Sequence, residues 1–176
     1  PMPYERTGPG NALDGKPKFD LNKWNQAFFD RLRNRIIKAK ENGLYVSVML
    51  FNGWSIEDKL GQGLQNPWRG HPFNNANNIN GVNGDLNGNG YGEEHHTLQS
   101  QAIFTMQEAF VAKVLDEIAD LDNVMVEISN ESGPNSVQWQ YNLINFIHTY
   151  EGTSPIKHPV GMTSIYPSGQ NLDLEN

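Results

Sequence analysis

An asparagine and a glutamate, Asn130 and Glu131, directly follow an apolar run over residues 124–129 that is interrupted by Glu127. Such runs between helices are typical of strands in a parallel sheet that is covered on both faces. At the carboxyl end of such a strand, where (β/α) barrel enzymes keep their chemistry, a carboxylate can transfer a proton to or from a reacting group. We therefore expect Glu131 to be a general acid or base, and Asn130 to hydrogen-bond a hydroxyl of the ligand.

The same residues have two other interpretations. An Asn-Glu pair can form an ordinary strand-to-loop turn in which neither side chain has a chemical role. Asn130-Glu131-Ser132 also fits the acceptor pattern for N-glycosylation, a modification of surface loops. The strand end is expected to be buried, which makes this second alternative the weaker one.

A second group of oxygen-bearing side chains lies between Asp85 and Glu93. Oxygen ligands at positions 1, 3, 5 and 9, with glycine at position 6, match the first part of a calcium-binding loop. His96 stands at position 12, where an acid is expected, and Glu93 or Glu94 can substitute for that acid. The alternative is a plain Asn/Gly turn that needs no ion. The predicted ligands of a structural Ca²⁺ are Asp85, Asn87, Asn89 and Glu93.

Helical and strand patterns alternate along the chain. The pattern predicts helices at about 21–42, 98–120 and 136–150, and strands at about 44–51, 124–129 and 159–163. Asp20 is placed to cap the first helix, and the Gly- and Pro-rich residues 1–19 predict a loop. Alternation of this kind predicts parallel strands with right-handed crossovers.

Residues 52–96 show no sustained periodicity, apart from a short helix expected at about 56–60. Loops of this length are usually functional. We expect their aromatic rings to gather at the carboxyl edge of the sheet and to stack on sugar rings, or else to pack the loop onto the sheet. The rings concerned are Trp54, Trp68, Phe73, Tyr91 and Tyr166. Packing is the interpretation we favour for Phe73, and Trp24 and Trp139 are expected within helices, as core residues or helix–sheet contacts.

Composition excludes several classes of function. The formal net charge of −7 argues against nucleic acid or an anionic membrane as partner. The absence of cysteine excludes disulfides, thiolate zinc sites and cysteine nucleophiles. No apolar run approaches the roughly 20 residues that cross a bilayer, and the first residues do not predict a signal peptide.

The run from Glu127 to Glu131 resembles the end of the fourth strand in clan A glycoside hydrolases, the cellulase-like (β/α)8 barrels. In that motif the last glutamate is the acid/base, and an aromatic residue often stands where Val126 is found here. The segments at 6–10, 68–74 and 158–163 also look like a bacterial subgroup of these enzymes. The resemblance covers nearly the whole chain and roughly strands two to five of the barrel. It implies an α/β fold with a partial, half-like TIM (β/α) barrel, as one domain over 1–176 with a long active-face loop at 52–96.

The resemblance also implies an activity, namely retaining hydrolysis of O-glycosidic bonds in a β-linked, plant-type polysaccharide, with no cofactor required. It gives Glu131 the acid/base role and Asn130 a contact with the sugar. A secreted or periplasmic location would suit such a substrate. Second-rank substrate contacts are Arg6, Trp54, Trp68, Arg69, His71 and Asn74.

The nucleophile of the clan is a glutamate on strand seven, whereas the matched segments end at strand five. Glu127 lies on the same strand as Glu131, roughly 13 Å away at about 3.3 Å per residue. Retaining pairs are about 5–5.5 Å apart and inverting pairs about 6.5–9.5 Å apart. Glu127 is therefore expected to be structural and paired with Arg6. Loop carboxylates that remain candidates are Asp85, Glu93, Glu94, Asp173 and Glu175.

A half-barrel would expose strand edges and apolar interior, so we expect the chain to self-associate. Two alternatives to a working hydrolase follow from the missing nucleophile. One is a catalytically incomplete carbohydrate-binding fragment, and the other is a calcium-stabilised structural domain without a sugar site.

Overall fold

The computed structural model describes residues 2–57, 66–163 and 165, and the chain forms two compact units. The hairpin-and-loop unit contains Pro1–Phe28 and Trp54–His95. The sheet-and-helix unit contains Phe29–Gly53 and His96–Asn176. Among the described helices, none combines the length and apolar character that crossing a membrane requires.

The N-terminal residues form an antiparallel hairpin. Strand β1 spans Tyr4–Asn11 and strand β2 spans Pro17–Trp24. The rings of Tyr4 and Trp24 face each other across the hairpin and stack with their centres 5.2 Å apart. Cross-strand aromatic pairs of this kind stabilise a hairpin. Because β1 and the start of β2 lie within residues 1–19, the loop predicted there is wrong.

Asp20 lies within β2 and does not cap a helix. Its carboxylate accepts a hydrogen bond from the backbone N–H of Asn22 at 3.0 Å. Helix α1 begins later than predicted and spans Gln26–Glu41. Leu21 and Trp24 have the three-residue spacing of a helical stripe, which is why the pattern extended the helix into a strand.

Three parallel strands form the sheet of the sheet-and-helix unit, in the order β3-β4-β5. They are β3 at Val46–Asn52, β4 at Val124–Asn130 and β5 at Val160–Gly161. The register runs from the pair Val46 and Val124 to the pair Asn52 and Asn130. These strands lie where the alternating pattern predicts them, although β5 is shorter than expected.

Two helices follow the first and second strands of this sheet. Helix α2 spans Gln101–Ile118 and is capped by Ser100, whose hydroxyl accepts a hydrogen bond from the N–H of Ile103 at 3.4 Å. Helix α3 spans Val137–Tyr150. Both helices bury apolar side chains at helical spacing, as their patterns predict. The buried residues include Phe110, Val114 and Ile118 in α2 and Trp139, Leu143 and Ile147 in α3.

The predicted partial (β/α) barrel is wrong. The described residues form a three-stranded parallel sheet with edges at β3 and β5, and an antiparallel two-stranded hairpin. A barrel would need the hairpin residues in a further strand–helix unit of the parallel sheet. Alternating helices and strands predict parallel pairing and crossovers, but they do not determine whether the sheet closes. The fold is a small α/β fold.

Side chains alternate in burial along the parallel strands. Val48 and Leu50 are buried in β3, whereas Ser47 and Met49 point to the opposite face. Met125 shares that face because it is the register partner of Ser47. Met49 and Met125 are 42% and 44% exposed, so this face carries solvent-exposed apolar side chains.

Candidate functional site

The carboxyl ends of β3 and β4 bring two asparagines together. Asn52 and Asn130 are register partners, and Nδ2 of Asn130 donates a hydrogen bond to Oδ1 of Asn52 at 3.5 Å. Parallel strands end at the same edge of a sheet, which is why residues so distant in sequence meet here. Asn52 is exposed and Asn130 is half-buried, so a ligand can reach this pair.

Glu131 continues the chain in a strained conformation. Its φ is 47°, in the left-handed region that side-chain-bearing residues rarely adopt and that costs about 1–2 kcal/mol. Gly53, directly after β3, makes room for it. A Cβ at Gly53 would lie 2.3 Å from the carbonyl oxygen of Glu131 and 2.7 Å from that of Asn130. Glu131 is half-buried, and strained residues of this kind accumulate at functional sites.

A buried polar network holds the residues on either side of this bend. The hydroxyls of Ser129 and Ser132 are 2.6 Å apart, and Nδ1 of His96 lies 3.0 Å from the Ser132 hydroxyl. The Thr163 hydroxyl donates to the carbonyl oxygen of Ser129 at 2.6 Å. Ser129 and Ser132, on either side of the bend, are therefore tied to Thr163 and His96, which lie outside the strand.

Aromatic rings enclose the imidazole of His96. The ring stacks on Trp139 with centres 4.3 Å apart and planes 10° apart, and it meets the edge of Phe51 at 5.8 Å. Trp139 donates its Nε1–H to Oε1 of Gln107 at 2.9 Å. Trp139 is completely buried, as the sequence predicts for a core residue.

Arg6 is engaged within the hairpin-and-loop unit. Its guanidinium donates to both carboxylate oxygens of Asp14 at 3.1 and 2.7 Å and lies 3.9 Å from the centre of the Phe19 ring. The expected partner of Arg6, Glu127, instead accepts a hydrogen bond from the Ser47 hydroxyl at 3.4 Å. Arg6 also lines an open groove of about 490 Å³ together with Lys16.

Trp68 and His71 form part of the packed interior of the loop that connects β3 to α2. Trp68 is 1% exposed, and its indole stacks on the His71 ring with centres 4.7 Å apart. A Cβ at Gly92 would lie 2.3 Å from the indole and one at Gly84 would lie 2.7 Å from it. Both glycines are needed to make room for the indole, so its position is that of a packing residue. Phe73 is also buried, in agreement with the packing role that we favour for it.

His71 lies among rings that lower its proton affinity. Its neighbours are Trp68, Phe73 and His95, with ring centres 4.7 to 5.9 Å away. Burial lowers the pKa of His71 to about 3, because the surrounding rings do not solvate a charge. Nδ1 of His71 accepts a hydrogen bond from the N–H of Phe73 at 3.2 Å. The neutral ring is therefore the form that this environment stabilises.

Asparagine side chains hold the backbone of the same loop. Asn74 accepts from the N–H of Ala76 at 3.0 Å and donates to the carbonyl of Trp68 at 3.3 Å. Asn77 donates to the carbonyl of Arg69 at 2.8 Å, while Arg69 itself is exposed. Asn78 is buried and donates to three carbonyl groups, those of Pro72, Asn74 and Val82. Of the predicted substrate contacts, Trp68, His71 and Asn74 thus lie together in this loop.

Trp54 lies in the short 3₁₀ turn Gly53–Ser55 that follows β3. The residue is 36% exposed, so part of its ring remains available to a ligand. The predicted short helix at about 56–60 begins within residues that the structure describes, and residues 56 and 57 form a bend there. Its remainder, together with Tyr166, Asp173 and Glu175, lies outside the described residues.

The predicted calcium ligands lie in a loop closed by its own side chains. Asp85 accepts from the N–H groups of Gly88 and Gly90 at 3.0 and 2.9 Å. Asn87 accepts from the N–H of Asn89 at 2.8 Å. The side-chain amides of Asn87 and Asn89 both donate to Oε1 of Glu93. The side-chain oxygens therefore already organise the turn.

Negative charge is concentrated in this loop. Burial raises the pKa of the Glu94 carboxyl, and the nearby carboxylates of Glu93 and Asp85 add to the effect. Oε2 of Glu93 is buried and has no hydrogen-bond partner in the described part of the chain. Within that part, no group of three or more His, Cys, Asp or Glu side chains is suited to hold a metal. Any ion here would need the asparagine oxygens.

Several residues at the strand ends do not follow from the sequence pattern. Asn52 ends β3 as Asn130 ends β4, and this repeated asparagine after an apolar strand was the available signal. The roles of His96, Ser132 and Thr163 depend on tertiary contacts. Hydroxyl and imidazole groups far apart in sequence carry no pattern that predicts their meeting.

The chain was also compared with known proteins. No curated protein and no solved structure matches it. A family model described as a domain of unknown function, DUF6298, matches residues 1–165. The match includes the ends of β3 and β4, the asparagine-rich loop over residues 74–83, and Glu131. The chain therefore belongs to the DUF6298 family.

Proposed function

We propose that this protein hydrolyses O-glycosidic bonds, with Glu131 as the general acid/base. The observation that carries the proposal is the strained, half-buried Glu131 at the carboxyl end of a parallel strand. Strain of about 1–3 kcal/mol persists where the surroundings impose it, and Gly53 provides the necessary space. A structural turn could avoid this strain with glycine at position 131.

Glu131 protonates the glycosidic oxygen as the bond to the leaving sugar breaks and a second carboxylate bonds to the anomeric carbon. The carboxylate of Glu131 then takes a proton from the water that displaces that second carboxylate. The amide groups of Asn130 and Asn52, which meet at 3.5 Å, hydrogen-bond hydroxyls of the sugar. A retaining mechanism needs a second carboxylate about 5–5.5 Å from the first. Glu127 is not that group, because it lies four residues earlier on the same strand and accepts a hydrogen bond from Ser47.

The substrate class is a β-linked, plant-type polysaccharide. This part of the proposal rests on the resemblance of the strand-end motif to clan A glycoside hydrolases. The acidic net charge of −7 suits a neutral sugar better than a polyanion.

The test compares Glu131→Gln with wild type on a panel of nitrophenyl β-glycosides. We expect kcat to fall by about 10²- to 10⁴-fold, the usual contribution of a general acid or base, because Glu131 must still take a proton from water after an activated phenol has left. Glu127→Gln is the matched control, because it makes the same change on the same strand, and its rate should stay within about twofold of wild type. Equal rates for wild type and Glu131→Gln would refute the assignment. Saturable oligosaccharide binding without hydrolysis would favour the carbohydrate-binding alternative.

A structural Ca²⁺ in the loop over residues 85–93 is a second part of the proposal. Asp85, Asn87, Asn89 and Glu93 would hold it, since Ca²⁺ prefers oxygen ligands. The buried and unpartnered Oε2 of Glu93 supports the fit, because such an oxygen is costly unless a donor or cation meets it. Chelation should lower the melting temperature of wild type but not of Asp85→Asn with Glu93→Gln. An unchanged wild-type melting temperature with chelator would contradict the site.

Self-association through the exposed face of the parallel sheet is the third part. Met49 and Met125 lie on that face and are 42% and 44% exposed. A second copy of this face can cover these side chains, which favours association over solvation. Light scattering should give a mass above that of one chain, and Met49→Lys with Met125→Lys should reduce it. A monodisperse monomer would contradict this part.

A further inference from the structure

Glu131 is held between two serines whose hydroxyls meet across the bend. Ser129 and Ser132 are both buried, and their oxygens are 2.6 Å apart. The side chains of the first and fourth residues thus bridge the turn over Asn130 and Glu131. The bridge fixes the separation of its ends, and the left-handed Glu131 lies inside it.

His96 anchors one end of this bridge. Its Nδ1 lies 3.0 Å from the Ser132 hydroxyl, and the residue is 2% exposed. The imidazole stacks on Trp139 at 4.3 Å and meets Phe51 edge-on at 5.8 Å. The two aromatic contacts fix the plane of the ring, and the hydrogen bond with Ser132 stabilises the orientation that directs Nδ1 at its hydroxyl.

The direction of the hydrogen bonds that join His96, Ser132 and Ser129 depends on which ring nitrogen of His96 carries the proton. If Nδ1 of His96 accepts from Ser132, then Ser132 accepts from Ser129, and both hydroxyl protons have an acceptor. If Nδ1 instead carries the proton, Ser132 donates to Ser129 and the Ser129 proton must find another acceptor. The first arrangement satisfies the buried hydroxyls directly. It requires the tautomer of His96 that has its proton on Nε2.

We propose that His96 is a positioning residue for Glu131 and acts through Ser132. The imidazole holds the Ser132 hydroxyl, and the Ser132–Ser129 bridge holds Glu131 in its left-handed conformation. His96 does not touch the substrate. The kinetic part of this inference rests on the proposed acid/base role of Glu131, whereas its conformational part does not.

Three variants and one backbone measurement test the inference. His96→Phe keeps a ring on Trp139 and removes Nδ1, and Ser132→Ala removes a single oxygen. We expect each to lower kcat on the nitrophenyl β-glycosides by about 10- to 100-fold, as a small displacement of a catalytic group does, with KM little changed. In the double variant the loss should equal the larger single loss, because both changes break the same connection. His148→Phe, an exposed position in α3, is the control.

The backbone measurement is the HN–Hα coupling of Glu131 by NMR, which reports its φ angle. It should change in His96→Phe and in Ser132→Ala, with circular dichroism showing that both variants remain folded. An unchanged coupling in folded Ser132→Ala overturns the inference, as does a double-variant loss equal to the product of the single losses. If Glu131→Gln keeps wild-type rates, the proposed function fails instead, and the coupling still decides the positioning role.

Discussion

Buried polar side chains serve different ends in the two units of this protein. In the asparagine-rich loop, the side-chain amides of Asn78 and the neighbouring Asn77 hydrogen-bond to backbone groups. At the end of β4, the buried network ties down Ser129 and Ser132, while Glu131 between them stays half-exposed. The first arrangement builds a loop, and the second presents a carboxylate. An abundance of polar residues is therefore a weaker sign of function than a strained polar residue within reach of solvent.

The groups that pack closely against glycines also differ between the two units. Gly84 and Gly92 make room for the ring of Trp68, so that an indole can fill the interior of the loop. Gly53 makes room for the backbone of Glu131, which positions a titratable side chain. A substitution at Gly92 should therefore affect packing, and one at Gly53 should affect packing and chemistry together.

The largest effect should come from the loop, at Asn78. Asn78→Ala removes hydrogen bonds to three carbonyls, of which that of Pro72 is buried, and to the N–H of Val82. We expect a loss of about 2–4 kcal/mol in the free energy of unfolding, because the abandoned backbone groups stay wholly or partly buried without a partner. Thermal unfolding followed by circular dichroism measures it. Asn75→Ala, at an exposed position of the same loop, should change it by less than about 0.5 kcal/mol.

The contrast between the two units would break if Asn78→Ala abolished hydrolysis while leaving the melting temperature unchanged. Such a result would mean that the amide groups of the loop take part in the chemistry. If Asn78→Ala lost stability but stayed active at temperatures below its thermal unfolding, the contrast would be sharper.

A somewhat smaller effect is expected at Gly53. Gly53→Ala places a methyl group 2.3 Å from the Glu131 carbonyl, and relieving such an overlap costs about 1–3 kcal/mol. The movement should also lower kcat by about tenfold or more, because the carboxylate moves with its backbone. Gly161→Ala is the control, since a Cβ there meets nothing within 4 Å. If Gly53→Ala lost stability but kept its full rate, Gly53 would have no part in placing Glu131.

A pH dependence comes from His71, and its effect is small near pH 7. The pKa of His71 is lowered from 6.5 to about 3 by burial, so between these values the unfolded chain binds one proton more than the folded chain. Stability should therefore fall on acidification, by about 1.4 kcal/mol per pH unit. His71→Asn keeps an acceptor for the N–H of Phe73 and removes the titration, so its stability should decline less steeply from about pH 6 to 4. Chemical denaturation at several pH values measures the two slopes, with His148→Asn as control. Identical slopes for wild type and His71→Asn would contradict the assignment.

Local pattern predicted the parallel strands and the helices, because apolar spacing reports directly on which face of an element is buried. The hairpin was missed because its first strand is rich in glycine and proline, and because the spacing of Leu21 and Trp24 suits a helix as well. Closure of the sheet depends on strand number and tertiary pairing, which spacing along one chain does not contain. The barrel prediction failed for that reason.

The candidate site was predictable in part. Asn130 and Glu131 follow an apolar strand, and their position at its end could be inferred from the sequence. The left-handed φ of Glu131 could not, because glutamate has no preference for it and the cause lies in Gly53 and the serine bridge. Trp68 illustrates the opposite case, since an aromatic ring in a loop looks the same in sequence whether it binds a sugar or fills an interior.

The acid/base role of Glu131 is tested most directly by varying the leaving group. kcat/KM, which reports release of the phenol, should be measured for wild type and Glu131→Gln on a phenyl β-glycoside and a dinitrophenyl β-glycoside of the same sugar. A dinitrophenolate leaves without a proton, whereas a phenolate needs one. Glu131→Gln should therefore lose about 10²- to 10⁴-fold on the phenyl glycoside and little on the dinitrophenyl glycoside. An equal loss on both substrates, or no loss on either, would contradict the role of Glu131 as the general acid.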